Sequence, residues 1–85
     1  MPRQAVALAT EIAKQYPFSV HGLDFRITNN PSHPGGVYLV IAEVDFNCFS
    51  ESQRLILTEE ILGLLKLMTQ CGVPALIEKI GEFND

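Results

Sequence analysis

Residues 50–72, SESQRLILTEEILGLLKLMTQCG, decide the fold, because they mark both ends of one long helix. Ser50 and Gln53 match a capping box, in which the Ser50 hydroxyl accepts from the Gln53 N–H and the Gln53 side chain accepts from the Ser50 N–H. Gly72, which a proline follows two residues later, is typical of the left-handed residue just beyond a helix. The stretch therefore predicts a helix that begins near Ser50 and ends before Gly72.

The apolar residues of this helix divide into two sets when they are projected at about 100° per residue. One set predicts the face that packs on the core: Leu57, Ile61, Leu64, Leu65, Met68 and Cys71. Leu55 and Leu62 fall instead in the polar arc, beside Glu59 and Lys66. Scattered exposed leucines are normal, which is one explanation of this pair. The other is a second contact surface, so the sequence predicts an interface of Leu55, Leu62, Lys66 and Glu59.

Length and composition limit the class of protein. Residues 1–85, with 47% hydrophobic and 19% charged content, predict one small globular domain. The net charge of −4 and the dispersed basic residues disfavour a nucleic-acid partner. No run of about 18 apolar residues and no signal-peptide pattern is found, so we expect a soluble, cytoplasmic protein without a membrane partner.

The first 36 residues predict a helix, a strand and a loop. Five apolar residues have helical spacing in the first segment: Ala5, Leu8, Ala9, Ile12 and Tyr16. Residues 18–27 alternate between apolar and polar side chains, and a change of phase at Gly22 predicts a bulge. The turn-forming residues 28–36 then predict a mobile connection with few backbone hydrogen bonds.

Two further segments complete the predicted sheet. Residues 37–44 are apolar except for Glu43, which predicts a central strand covered on both faces. The apolar run after Gly72 has helical spacing, but an apolar run after a capped helix also closes a strand–helix–strand unit. The sequence favours a strand from Pro74 to Ile80 and leaves a helix open. We predict a two-layer α+β domain in the order helix–strand–strand–helix–strand, with a three-stranded sheet and two helices.

Side chains that carry chemistry are few. The histidines, His21 and His33, have no further ligand at zinc spacing, so we predict no metal site, no cofactor and no catalytic role for either. The pairs Glu59–Glu60 and Glu43–Asp45 are expected to be solvated or to cap helices rather than to act as acid and base.

Cys48 is the candidate nucleophile. It lies close to the predicted helix start, where a thiolate would be stabilised, although a packed small apolar residue explains it as well. Cys71 would lie about 30 Å away along the helix, too far for a disulfide.

Three hypotheses of function follow from these residues. The first is a small acidic interaction or accessory module, a homodimer or a subunit that binds another protein through the apolar helix surface. The alternative is a small thiol-dependent enzyme or redox protein that uses Cys48. A third is a small-molecule sensor with residues 29–36 as a lid, whose ligand the sequence does not name.

Overall fold

The computed structural model describes residues 2–16 and 23–83 of the protein. Their elements follow in the order α1 (Pro2–Gln15), β1 (Phe25–Asn29), β2 (Val37–Ala42), α2 (Glu43–Asn47), α3 (Glu51–Gln70) and β3 (Ala75–Ile80). The predicted α+β class and the three-stranded sheet are confirmed, with one short helix added. The predicted strand residues 18–22, with the bulge at Gly22, lie outside the described residues.

The sheet has β2 in its centre, between β1 and β3. β1 is antiparallel to β2, with Phe25 opposite Ile41, and β3 is parallel to β2, with Ala75 opposite Val37. Two parallel strands need a crossover connection, which α2 and α3 supply. The strand predicted near Pro74 to Ile80 is confirmed, and the helical alternative for this segment is wrong.

One face of the sheet packs against the helices. Val37, Leu39 and Ile41 alternate along β2, so they share this face, and all three are fully buried. They belong to one apolar cluster with residues of both long helices: Ala5, Ala9, Ala13, Leu57, Ile61, Leu64, Leu65 and Met68. Cys71, predicted to join this core, is exposed, because α3 ends at Gln70 and Cys71 is its C-cap.

The other face of the central strand is also shielded. Val40 and Ala42 point away from the helices, yet both are buried. Arg26 is opposite Val40 on this face, and its guanidinium carbon lies 4.3 Å from the centre of the Phe83 ring. The segment after β3 therefore brings an aromatic ring over this side of the sheet, and the predicted cover on both faces of β2 is confirmed.

The short helix α2 corrects the predicted limit of the central strand. β2 ends at Ala42 rather than Val44, and Val44 is 51% exposed on α2. Glu43 and Asp45 lie in the first turn, where negative charge is favoured by the helix dipole. Phe46 is buried and fixes the turn to the core, as the sequence predicts.

Both predicted ends of α3 are confirmed. The Gln53 N–H donates to Ser50 Oγ at 3.2 Å, and the Ser50 N–H donates to Gln53 Oε1 at 3.1 Å. At the C-terminus Gly72 has φ +91°, in the left-handed region that favours glycine. Its N–H donates to the Thr69 carbonyl and the Val73 N–H to the Met68 carbonyl, which together form a Schellman motif.

Ser50→Ala is expected to lower the free energy of unfolding by about 1 kcal/mol, because it removes the hydroxyl that caps α3. The midpoint of urea unfolding should fall at unchanged slope. Ser52→Ala is the matched control, since the Ser52 hydroxyl contacts only Ser50 Oγ, at 3.3 Å, among the described hydrogen bonds. Equal midpoints for the two variants would show that the cap contributes nothing.

Candidate functional site

The predicted interface residues form one stripe along α3. Leu55, Glu59, Leu62 and Lys66 follow one another at intervals of four, three and four residues, which places them on one side of a helix. We call them the α3 seam. Leu55 is 66% exposed and Leu62 is 57% exposed, and Glu59 and Lys66 are exposed too. The seam therefore points away from the core.

An apolar cleft lies beside the seam, between α3 and β3. It has a volume of about 160 Å³, and its walls include Leu62 and Thr58 from α3 and Ile77 and Lys79 from β3. Phe46 also lines it, and Lys79 Nζ lies 5.0 Å from the centre of the Phe46 ring. We call it the α3–β3 cleft. Leu62 belongs to both the seam and the cleft, so the two form one continuous surface.

The charges on the seam have no ion-pair partner among the described residues. The residues three and four positions from Glu59 and from Lys66 along α3 are all uncharged, so neither has a partner on its own helix. Within residues 2–16 and 23–83 neither side chain forms an ion pair; the pair found there joins Lys14 and Glu11 on α1, at 3.6 Å. One negative and one positive group are therefore free to meet another molecule.

The outer edge of β3 is a second possible contact. The Val37 N–H donates to the Pro74 carbonyl at 2.9 Å, and the parallel ladder then turns the backbone groups of Ala75, Ile77 and Lys79 outward. However, Lys79 points to the helix side of this edge strand. Inward-pointing charges are a means by which proteins block the addition of further strands. The seam is therefore the better candidate for an interface.

The loop between β1 and β2 is hydrogen-bonded, and the prediction that it has few backbone hydrogen bonds is wrong. The Asn30 N–H donates to the Gly36 carbonyl at 3.0 Å, and the Gly36 N–H donates to the His33 carbonyl at 2.9 Å. Asn30 is buried, and its Oδ1 accepts from the Ser32 N–H at 2.9 Å. The asparagine side chain thus provides an acceptor for a backbone N–H inside the turn.

Gly36→Ala is expected to lower the free energy of unfolding by about 1–3 kcal/mol. A Cβ at this position would lie 3.1 Å from the His33 carbonyl oxygen and 3.2 Å from the Pro74 carbonyl oxygen, and backbone atoms cannot move aside cheaply. Gly81→Ala is the control, since its Cβ would meet nothing within 4 Å. Equal urea midpoints for the two variants would contradict the close packing of this loop.

A second cleft, of about 340 Å³, lies beside the loop and is the place that a ligand sensor would use. His33 and Leu76 are among its lining residues, as is Thr69. The Thr69 hydroxyl already donates to the Leu65 carbonyl at 3.0 Å, which leaves the His33 imidazole as a polar group for a ligand. One imidazole in an otherwise largely apolar cleft does not specify a ligand chemistry. His21 lies outside the described residues.

Cys48 lies at the surface, at the C-cap of α2. Its Sγ donates to the Val44 carbonyl at 3.2 Å. A backbone carbonyl is not a base that could activate a thiol, so the geometry gives no support to a nucleophile. Cys71 is exposed and free as well.

The carboxylates of the two candidate pairs differ in exposure. Glu43, Asp45 and Glu59 are exposed. Glu60 is half-buried, and its Oε2 is shielded from solvent without a hydrogen-bond partner among the described residues. In the same part of the chain, no three His, Cys, Asp or Glu side chains are grouped to hold a metal ion.

Comparisons with protein-family models, with curated proteins and with solved structures give no match to this chain. Among the helices of residues 2–16 and 23–83, none has the length and apolar character that crossing a membrane requires. The cytoplasmic location stays a prediction. The seam and the cleft beside it are thus the features from which a function can be argued.

Sequence reasoning missed the β3 and α2 walls of this surface. The predicted interface held helix residues only, whereas Phe46, Ile77 and Lys79 border the same cleft as Leu62. Ile77 and Lys79 alternate on β3 and therefore share a face, which is a pattern that the sequence contains. The position of Ile77 and Lys79 under α3 depends on the pairing of β3 with β2, and the alternation of residues in the sequence does not predict that pairing.

Proposed function

We propose that the protein is a small acidic interaction module that binds a protein subunit through the α3 seam and the α3–β3 cleft. The observation that carries the proposal is the position of Leu62, which is more than half exposed and also forms a wall of the apolar cleft. Leu55 continues the apolar surface along α3, and Glu59 and Lys66 border it. An apolar centre with a charged rim is the usual anatomy of a protein–protein contact.

The size and charge of the surface favour a protein over other ligands. Pockets for small molecules usually hold about 300–1,000 Å³, and the α3–β3 cleft holds about 160 Å³, which suits one inserted side chain. The net charge of −4 opposes a phosphate backbone. The thiol hypothesis receives no comparable support, because the thiol of Cys48 meets a carbonyl rather than a base.

Photocrosslinking tests the proposal whatever the identity of the partner. A benzophenone amino acid at position 62 should give an adduct of discrete mass when cells that express the variant are irradiated. The same amino acid at position 8 is the control, since Leu8 is a 45% exposed leucine on α1 that is not part of the seam. No discrete adduct at position 62, or the same adducts from position 8, would refute the proposal. The mass of the adduct gives the mass of the bound subunit.

A further inference from the structure

We propose that the subunit bound by the α3 seam is a second copy of this chain, with the two α3 helices antiparallel about a two-fold axis beside Leu62. This inference rests on the proposed function and adds the identity of the partner. A two-fold axis places each residue before Leu62 opposite a residue that follows Leu62 in the other copy. The seam can therefore be examined for complementarity with itself.

The charges of the seam are self-complementary about this axis. With a rise of 1.5 Å per residue, Glu59 lies about 4.5 Å before Leu62 along α3, and Lys66 lies about 6 Å after it. In the antiparallel pair, the positions of Glu59 in one copy and Lys66 in the other then differ by about 1.5 Å along the helix axis. Symmetry gives the same offset for Lys66 of the first copy and Glu59 of the second. Neither group has an ion pair within the described part of its own chain. The dimer would thus pair two glutamates with two lysines.

The apolar residues fit the same arrangement. Leu62 of each copy lies at the axis, where it meets its equivalent and borders the α3–β3 cleft of its own chain. Leu55, about 10.5 Å before the axis, faces the region of Thr69 in the other copy. The centre of this interface contains few large apolar side chains, so we expect a dimer with a micromolar dissociation constant rather than an obligate dimer.

Charge reversal tests the pairing directly. Glu59→Lys makes positions 59 and 66 both positive, and Lys66→Glu makes them both negative, so either variant replaces both attractions in its homodimer by repulsions. Each should raise the dissociation constant of the homodimer by about tenfold or more at low salt, because two exposed attractive contacts become repulsive. A mixture of the two variants restores opposite charges at every contact and should give a heterodimer. The double variant should recover the wild-type homodimer.

Sedimentation velocity measures these constants, and circular dichroism checks that each variant is folded. Glu78→Lys is the control for Glu59→Lys, because it makes the same change in net charge at an exposed position of β3 that is off the seam. The two-fold arrangement is supported if both single variants weaken the homodimer, the control does not, and the mixture of the two variants associates as the wild type does. A wild-type dimer that either single variant leaves intact, or a mixture that does not recover, overturns it.

The cross-linking experiment separates this inference from the proposed function. If wild type is a monomer and position 62 cross-links to a protein of another mass, the second-copy partner is wrong and the interaction module stands. If position 62 gives no discrete adduct, both proposals fail.

Discussion

Leu39→Ala is expected to lower the free energy of unfolding by about 2–5 kcal/mol, a large fraction of the total stability of a domain of this size. Leu39 is fully buried in the middle of β2, with Ile27 opposite on β1 and Ile77 opposite on β3. Its side chain lies between the sheet and the two long helices, so truncation leaves a cavity that neither layer can fill easily. Urea unfolding followed by circular dichroism measures the loss.

The matched control for this prediction is Leu8→Ala, which removes the same atoms from a leucine that is 45% exposed on α1. Exposed substitutions of this kind usually change stability by about 0.5 kcal/mol or less. A Leu39→Ala midpoint close to that of Leu8→Ala would mean that β2 is not the centre of the core.

Leu55→Glu/Leu62→Glu is expected to abolish self-association, with a dissociation constant raised by more than about a hundredfold. Two copies would lose four apolar side chains from the interface, and burial of a leucine contributes about 1.5–3 kcal/mol when it is complete. The substitutions also place four negative charges where two helices should meet. Light scattering on the wild type and the variant measures the association.

Leu8→Glu/Val44→Glu is the control for the double variant. It replaces two exposed apolar residues on α1 and α2 that are not part of the seam, and it adds the same charge. The control should associate as the wild type does. If instead Leu55→Glu/Leu62→Glu unfolds by circular dichroism, these leucines belong to the core and the helix phase is wrong.

Local chemistry explains which parts of the fold the sequence predicts. The capping box of Ser50 and Gln53 and the left-handed Gly72 act within a few residues of the helix ends, so both ends of α3 could be located. The run at residues 37–44, apolar except for Glu43, likewise predicts a strand covered on both faces. The helical phase of α3 separates Leu55 and Leu62 from the buried set.

Non-local contacts explain what the sequence left open. The segment Ala75–Ile80 has apolar residues at helical spacing, yet it forms a strand because it pairs with Val37–Ala42, which is distant in the sequence. The same pairing brings Ile77 beneath Leu62, so half of the α3–β3 cleft could not be predicted. The short helix α2 was missed because its exposed Val44 continues the apolar run of β2. The hydrogen bonds of the loop, which include one to the Asn30 side chain, are specific pairings that composition does not reveal.

The central claim is that the α3 seam is a surface for self-association, and the mass of the wild-type protein in solution tests it most directly. Sedimentation equilibrium should be measured from low to high micromolar concentration. The claim predicts a weight-average mass that rises from the 9.4 kDa of one chain toward twice that value as the concentration increases. A mass of 9.4 kDa at every concentration would contradict it.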